Sequence, residues 1–321
     1  MVEFVGNRVK SSSIRRLLLA IAVAIVFPLG ACNNKQESAP VQARPRTFAS
    51  PEDAGKALAE AAKSQDQNAI LQIFGPGSAE ILSSGDATED KASFDGFAKA
   101  YQVMNRWRKL GDGSELLLVG ADNQAFPVPL MKNSAGKWYF DAAAWKEEIL
   151  ARRIGRNEIA AIDIGASIAD AQQQYCSQHH DGVKQYAQKF VSDDGRQNGL
   201  YWKSPDGKRT SPLGPLVAFA AAEGYKVQQS QHRSYYGYYF GILDKQGLDA
   251  TGGAKNYLDN GKMTGGFAVI AYPAQYGDSG IMTFIIDKTG LIFQKDLGQN
   301  TDQVAAAITE FNPDRSWTLV E

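Results

Sequence analysis

Between His232 and Gly298 apolar and aromatic runs of strand length alternate with clusters of Gly, Pro, Asn and Asp. The runs 238–243, 266–272, 281–287 and 291–295 predict an antiparallel meander, and nothing in this stretch has the look of an active site. The chain has 321 residues, room for two domains, and 44% hydrophobic residues, which excludes disorder throughout. A formal net charge of −1, with no Lys/Arg run of useful length after residue 16, argues against nucleic acid as a partner.

The first 31 residues predict a targeting segment. Arg15 and Arg16 precede an apolar run, 17–30, too short for a comfortable membrane span, and the run ends in Leu29-Gly30-Ala31-Cys32. That tetrapeptide resembles a bacterial lipobox, which implies cleavage before Cys32 and acylation of Cys32, with the membrane as a partner through the lipid. The other reading of the same residues is an ordinary secretory signal with a chance cysteine. Two or more acyl chains anchor stably where one is marginal. Losing residues 1–31 removes Glu3 and four basic residues, which takes the net charge from −1 to −4. In lipoproteins of Gram-negative bacteria an Asp after the cysteine marks inner-membrane retention. Here Asn33 follows, so the resemblance implies an outer-membrane lipoprotein of the cell envelope, facing the periplasm or the exterior.

Residues 32–46, with few apolar side chains and two prolines, read as a flexible tether. An N-terminal α+β domain is expected over 47–150. Ser50, Pro51 and Asp53 open a first helix, Asp66 begins a second that stops at Gly75-Pro76, and a polar loop (83–91) leads to a third carrying Phe94, Phe97, Ala98, Tyr101 and Met104 on one face. Strands are expected at 115–119, 125–131 and 137–141. Helices on one face of a short meander, ending in the strand of Gly136, Trp138 and Phe140, resemble the cone-shaped domains similar to nuclear transport factor 2. A charged connector (146–156) follows, with one helix expected from Asp141 to Arg153 and another from Asn157, whose apolar face is Ile159, Ile162, Ala166 and Ala169. A short buried helix is expected at 213–223, a surface helix at 302–309, and a C-terminal tail over 301–321 held down by Trp317.

Over 151–300 the chain resembles the globular part of type IV pilins. Residues 152–175 are similar to the end of the long pilin helix, with its Asn-Glu pair (Asn157, Glu158) and an Ala-Gln-x-x-Tyr ending. Residues 279–294 are similar to the last head hairpin, at Gly280, Thr283, Phe284, Asp287 and Gly290. The implied fold is a pilin-like helix plus antiparallel sheet. The prepilin peptidase site and the apolar helix half that builds a filament are absent. The chain is also similar, over most of residues 47–300, to an uncharacterised bacterial family, the domain of unknown function 2950, through residues 153–158 and Gly265-Gly266-Phe267-Ala268.

For chemistry, Cys176, His179, His180 and Asp181 are the compact set of potential metal ligands, with His232 the one other histidine. A zinc site needs three or four ligands and groups that orient them, so the alternative is a polar helix end with solvated histidines. With Cys32 acylated, Cys176 has no partner thiol and is expected as a buried, inert side chain. No serine has a nucleophile-elbow setting, and the paired glycines at 252–253 and 265–266 lack the context of a phosphate loop. No cofactor is expected. Tyr235, Tyr236, Tyr238 and Tyr239 form a possible contact patch for envelope proteins, against the alternative that alternate tyrosines pack into the sheet. The function expected is binding or assembly in the envelope. The alternative is an envelope enzyme or small-ligand binder with a pocket in the N-terminal cone.

Overall fold

The computed structural model describes residues 44–203, 211–222, 225 and 234–320. The expected signal peptide, Cys32, most of the tether and His232 lie outside them. The fold is mixed α+β with several antiparallel sheets.

In the first half, local signals place the helices. Ser50 accepts from the Asp53 amide at 3.1 Å and starts α1 (Pro51–Ser64). Asp66 accepts from the Ala69 amide at 3.0 Å and starts α2 (Gln67–Phe74), which ends at Gly75, φ 87°. A 3-10 turn and the single turn α3 (Ala79–Leu82) follow. The next helix, α4 (Ala87–Val103), begins inside the stretch expected as a loop, because Asp86 accepts from the amides of Thr88 and Glu89 at 2.9 and 3.2 Å. These helices cover β1 (Asn105–Lys109), β2 (Glu115–Val119), β3 (Gln124–Ala125), β4 (Leu130–Lys132) and β5 (Trp138–Phe140), in the order β1-β2-β4-β5 with β3 on β2. The expected strand 125–131 is split in two, since Pro127 and Pro129 cannot donate to a ladder. Leu58, Ile70, Ile73, Phe74, Leu130 and Phe140 fill this core.

The expected break in the connector is absent: α5 runs unbroken from Lys146 to Ser177. Gly155 weakens it by about 1 kcal/mol relative to Ala, but the helix is held on both sides, by Ile149 in the first core and by residues from Ala161 onward in a second. The buried face matches the expected one only in part: Ala169 is buried and Ile162 half-buried in the second core. Ile159 is 63% exposed and Ala166 faces solvent, while Asn157, Ala161, Ile164, Ile168, Gln172 and Tyr175 are buried. Two of those six are polar, which hid the stripe. Gln172 pairs reciprocally with the Ala187 backbone, both bonds at 2.8 Å, and Asn157 donates to the Ser279 carbonyl at 3.0 Å.

After α5 come a hairpin of β6 (His179–His180) and β7 (Val183–Lys184), helix α6 (Gly214–Ala222), and β8 (Tyr238–Leu243). Two small ribbons pair β9 (Lys245–Gln246) with β10 (Lys255–Asn256), and β11 (Leu258–Asp259) with β12 (Lys262–Met263). The main strands are β13 (Ala268–Pro273), β14 (Met282–Asp287) and β15 (Ile292–Asp296), followed by α7 (Thr301–Ala306) and β16 (Thr318–Leu319). The sheet order is β16-β15-β14-β13-β8, antiparallel throughout, so the tail expected over 301–321 ends as a strand beside β15. Neighbouring residues on a strand face opposite ways. The α5 side is marked by Ile286, whose Cδ1 would lie 2.9 Å from a Cβ on Gly165, and the α7 side by Ile285. Covered on both faces, β13 is buried at all but one of its six positions.

Candidate functional site

The four tyrosines do not form one exposed platform. Tyr235 and Tyr238 bridge antiparallel across a two-residue turn in which Tyr236 (φ 49°) and Gly237 (φ 70°) are both left-handed. Gly237 is required there, because a Cβ would come within 2.7 Å of Asn157 Nδ2 and Ser279 Cβ. Beyond the turn Tyr238 is 0% exposed, and its hydroxyl donates to the Met282 carbonyl at 2.9 Å. It offers no contact surface. The other three are half-buried: Tyr235 and Tyr236 lie 5.3 and 5.4 Å from the ring of Tyr225, and Tyr239 lies 5.5 Å from that of Tyr272.

The Cys-x-x-His-His-Asp stretch becomes the end of α5 and a hairpin whose turn is Asp181 (φ 53°) and Gly182 (φ 85°). His180 lies flat on Tyr175, 3.6 Å between centroids and 4° between planes, with its Nε2 2.9 Å from the Tyr175 carbonyl oxygen. His179 is exposed and Cys176 half-buried. So the expectation of solvated histidines holds for His179 and fails for His180, whose ring is spent on Tyr175. Among the described residues no three His, Cys, Asp or Glu side chains converge as metal ligands.

The interior of the N-terminal half is filled by rings. Phe126 lies 5.2 Å from Phe97, 5.8 Å from Phe140 and 6.2 Å from Phe74. Two depressions lie elsewhere. One, of about 440 Å³, is lined by Asp170, Gln173, Tyr186 and Lys288, and the other, of about 410 Å³, by Leu297, Val304, Ile308 and Trp317. Both are open to solvent.

A polar junction between the two cores escaped the sequence reading. From α5, Arg153 meets Asp278 at 2.5 Å, Asn157 holds the Ser279 carbonyl, and Glu158 Oε1 accepts from the amides of Ile281 and Met282 at 3.0 and 2.9 Å. Residues 153–158 of α5, from the end of the charged connector into the helix beyond it, are therefore a fastening for the loop 275–282. Burial raises the Asp278 carboxyl above its ordinary value even though Arg153 pulls it down. Beside this, Asp86 accepts from the Tyr225 hydroxyl at 3.0 Å, and Asp90 accepts from Ser83 Oγ and the Ser84 amide at 3.1 and 2.9 Å. Burial lifts Tyr225 well above the usual tyrosine range. Glu89, next to both aspartates, is 8% exposed and its Oε2 has no hydrogen-bond partner. Burial pushes its pKa up to about 7, with Arg156 opposing and Asp86 and Asp90 adding to the rise. Spacing was the available signal: Arg153 and Asn157 stand four apart, on one helical face.

Helix α6 departs from expectation in the opposite direction. It carries no polar side chain, yet it is not buried. Leu213 and Ala220 point inward, while Pro215, Ala218, Phe219 (58% exposed) and Ala221 face outward, with Leu216 and Val217 half-exposed. A helix apolar on every side normally sits in apolar surroundings, so this face is the strongest candidate contact surface among the described residues. No described helix is long and apolar enough to cross a membrane.

Compared with known proteins, residues 45–320 match the model of a family described as a protein of unknown function (DUF2950). No curated protein and no solved structure matches the chain.

Proposed function

Starting from the fact that the chain belongs to the DUF2950 family of proteins of unknown function, we propose that it is a lipid-anchored protein of the bacterial cell envelope that acts by binding or assembly. The observation that carries the binding part is the outward apolar face of α6. The anchoring part rests on Arg15 and Arg16, the apolar run 17–30 and the cysteine at 32, with Asn33 favouring the outer membrane. The pilin-like reading of residues 151–300 is supported by a long helix lying against an antiparallel sheet, and the cone-like reading of 47–150 by helices on a short one. Two separate cores support treating these as two modules. The alternative, an enzyme or ligand binder with a pocket in the N-terminal half, has the packed phenylalanines against it.

Cells fed labelled fatty acid test the anchor. The wild-type chain is expected to take up label and to fractionate with outer membrane, and Cys32→Ala to do neither. An unlabelled wild type, or a Cys32→Ala chain that still fractionates with the outer membrane, overturns the anchoring half of this reading.

A further inference from the structure

We propose that the seam between the two cores is a proton-operated latch, closed while the side chain of Glu89 is the neutral acid and loosened when that acid ionises. Opening means that the start of α4 leaves Tyr225 and the loop 275–282, while the two halves stay joined through the unbroken helix α5. The latch acts whatever α6 binds.

Beyond α5, the first half reaches the second at the cap of α4. Asp86 accepts from the Tyr225 hydroxyl, 139 residues away, and a Cβ on Gly85 would lie 3.4 Å from Gln275 Nε2. On the α5 side, Arg153 meets Asp278 of the same loop. Glu89 lies among these groups. Its carboxyl feels Asp86 and Asp90 from its own helix and Arg153 and Arg156 from α5, its charge acts on Tyr225, and Asp90 acts on Asp278.

The surroundings of Glu89 suit the acid better than the anion. The residue is 8% exposed, and Oε2 has no hydrogen-bond partner. Arg153 is engaged with Asp278, Arg156 is exposed, and none of the ion pairs among the described residues includes Glu89. A buried carboxylate without a paired cation is far costlier than a neutral carboxyl in the same place. Burial is the largest influence on the group and favours the acid, as do Asp86 and Asp90. Arg156, Arg153 and the positive end of α4 favour the carboxylate. Ionising Glu89 would set its carboxylate beside those of Asp86, Asp90 and Asp278, with Arg153 and Arg156 alone to balance them.

In the open seam Glu89 meets water and ionises at its ordinary 4.5, while in the closed seam it keeps its proton to about 7. Below the ordinary value the carboxyl is neutral in both forms and opening is unaffected. As pH rises from about 4.5 to about 7 the open form gives its proton to water first. The closed-to-open ratio then falls by up to about tenfold per pH unit, and above about 7 it falls no further. Mild acid closes the latch.

The test is amide hydrogen exchange of the mature chain, residues 32–321, at pH 5 and pH 8, with each rate corrected for the intrinsic effect of pH on exchange. Over residues 83–90 the opening equilibrium is expected to shift towards open by about tenfold or more at pH 8. At pH 8 these amides should also exchange faster than those of β13 and β14, which report unfolding of the whole chain. Glu89→Gln keeps the shape of the acid and carries no charge, so its opening is expected to match at the two pH values. Equal opening of the wild type at both pH values overturns the proposal. So does a rise that persists in Glu89→Gln, which assigns it to another group. Exchange of residues 83–90 only at the rate of β13 and β14 also overturns it, because the seam then opens only when everything unfolds.

Discussion

The guanidinium of Arg153, buried in α5, lies 2.5 Å from the carboxylate of Asp278, and 125 residues of chain separate the two. The pair joins the first turns of α5 to the loop between β13 and β14. Through Asn157 and Glu158 the same helix face binds the next residues of that loop.

Breaking this pair is expected to destabilise the fold. Removing one partner of a buried ion pair costs about 3–5 kcal/mol, but Asp278 keeps access to water, so about 2 kcal/mol is expected for Arg153→Met. A double-mutant cycle with Asp278→Asn should show a coupling of about 1–3 kcal/mol by denaturant unfolding. A coupling near zero would mean that the helix holds the loop through Asn157 and Glu158 alone.

Glu89 sets a dependence on pH. Its native pKa is raised from 4.5 to about 7. Below the ordinary value both states are protonated and nothing is lost. As pH rises from about 4.5 to about 7 the unfolded chain ionises while the native chain keeps its proton, so stability falls, and above about 7 the loss is complete. Glu89→Gln is expected to be about 2 kcal/mol more stable than wild type at pH 8, with the gap closing towards pH 4. If Glu89→Gln is instead less stable at pH 8, the pull of Arg156 on the carboxylate outweighs the cost of its burial.

The neighbouring histidines should separate. His179→Ala, at an exposed position, is expected to change stability by no more than about 0.5 kcal/mol. His180→Ala removes a ring stacked on Tyr175 and should cost about 1 kcal/mol. Thermal unfolding of both variants, with metal analysis of the purified protein, provides the check. Stoichiometric metal lost in either variant would promote the metal-site reading.

What the sequence determined by itself is short in range. Ser50 and Asp66 mark helix starts because a cap acts within three residues. The strand at 238–243 is found at those bounds, and the other strands of the meander within two residues, because turn residues and period-two alternation are local. Tertiary structure decided which polar groups go inside. Asn157, Gln172, Arg153 and Glu158 read as surface until backbone amides, carbonyls or a carboxylate 15 to 125 residues away satisfy them. That choice turned α5 onto a face that exposes Ile159, and closing the loop against it put Tyr238 in the core. The apolar sequence of α6 called for burial, but how much of a helix is covered depends on what packs over it, and that is not written in its own nine residues.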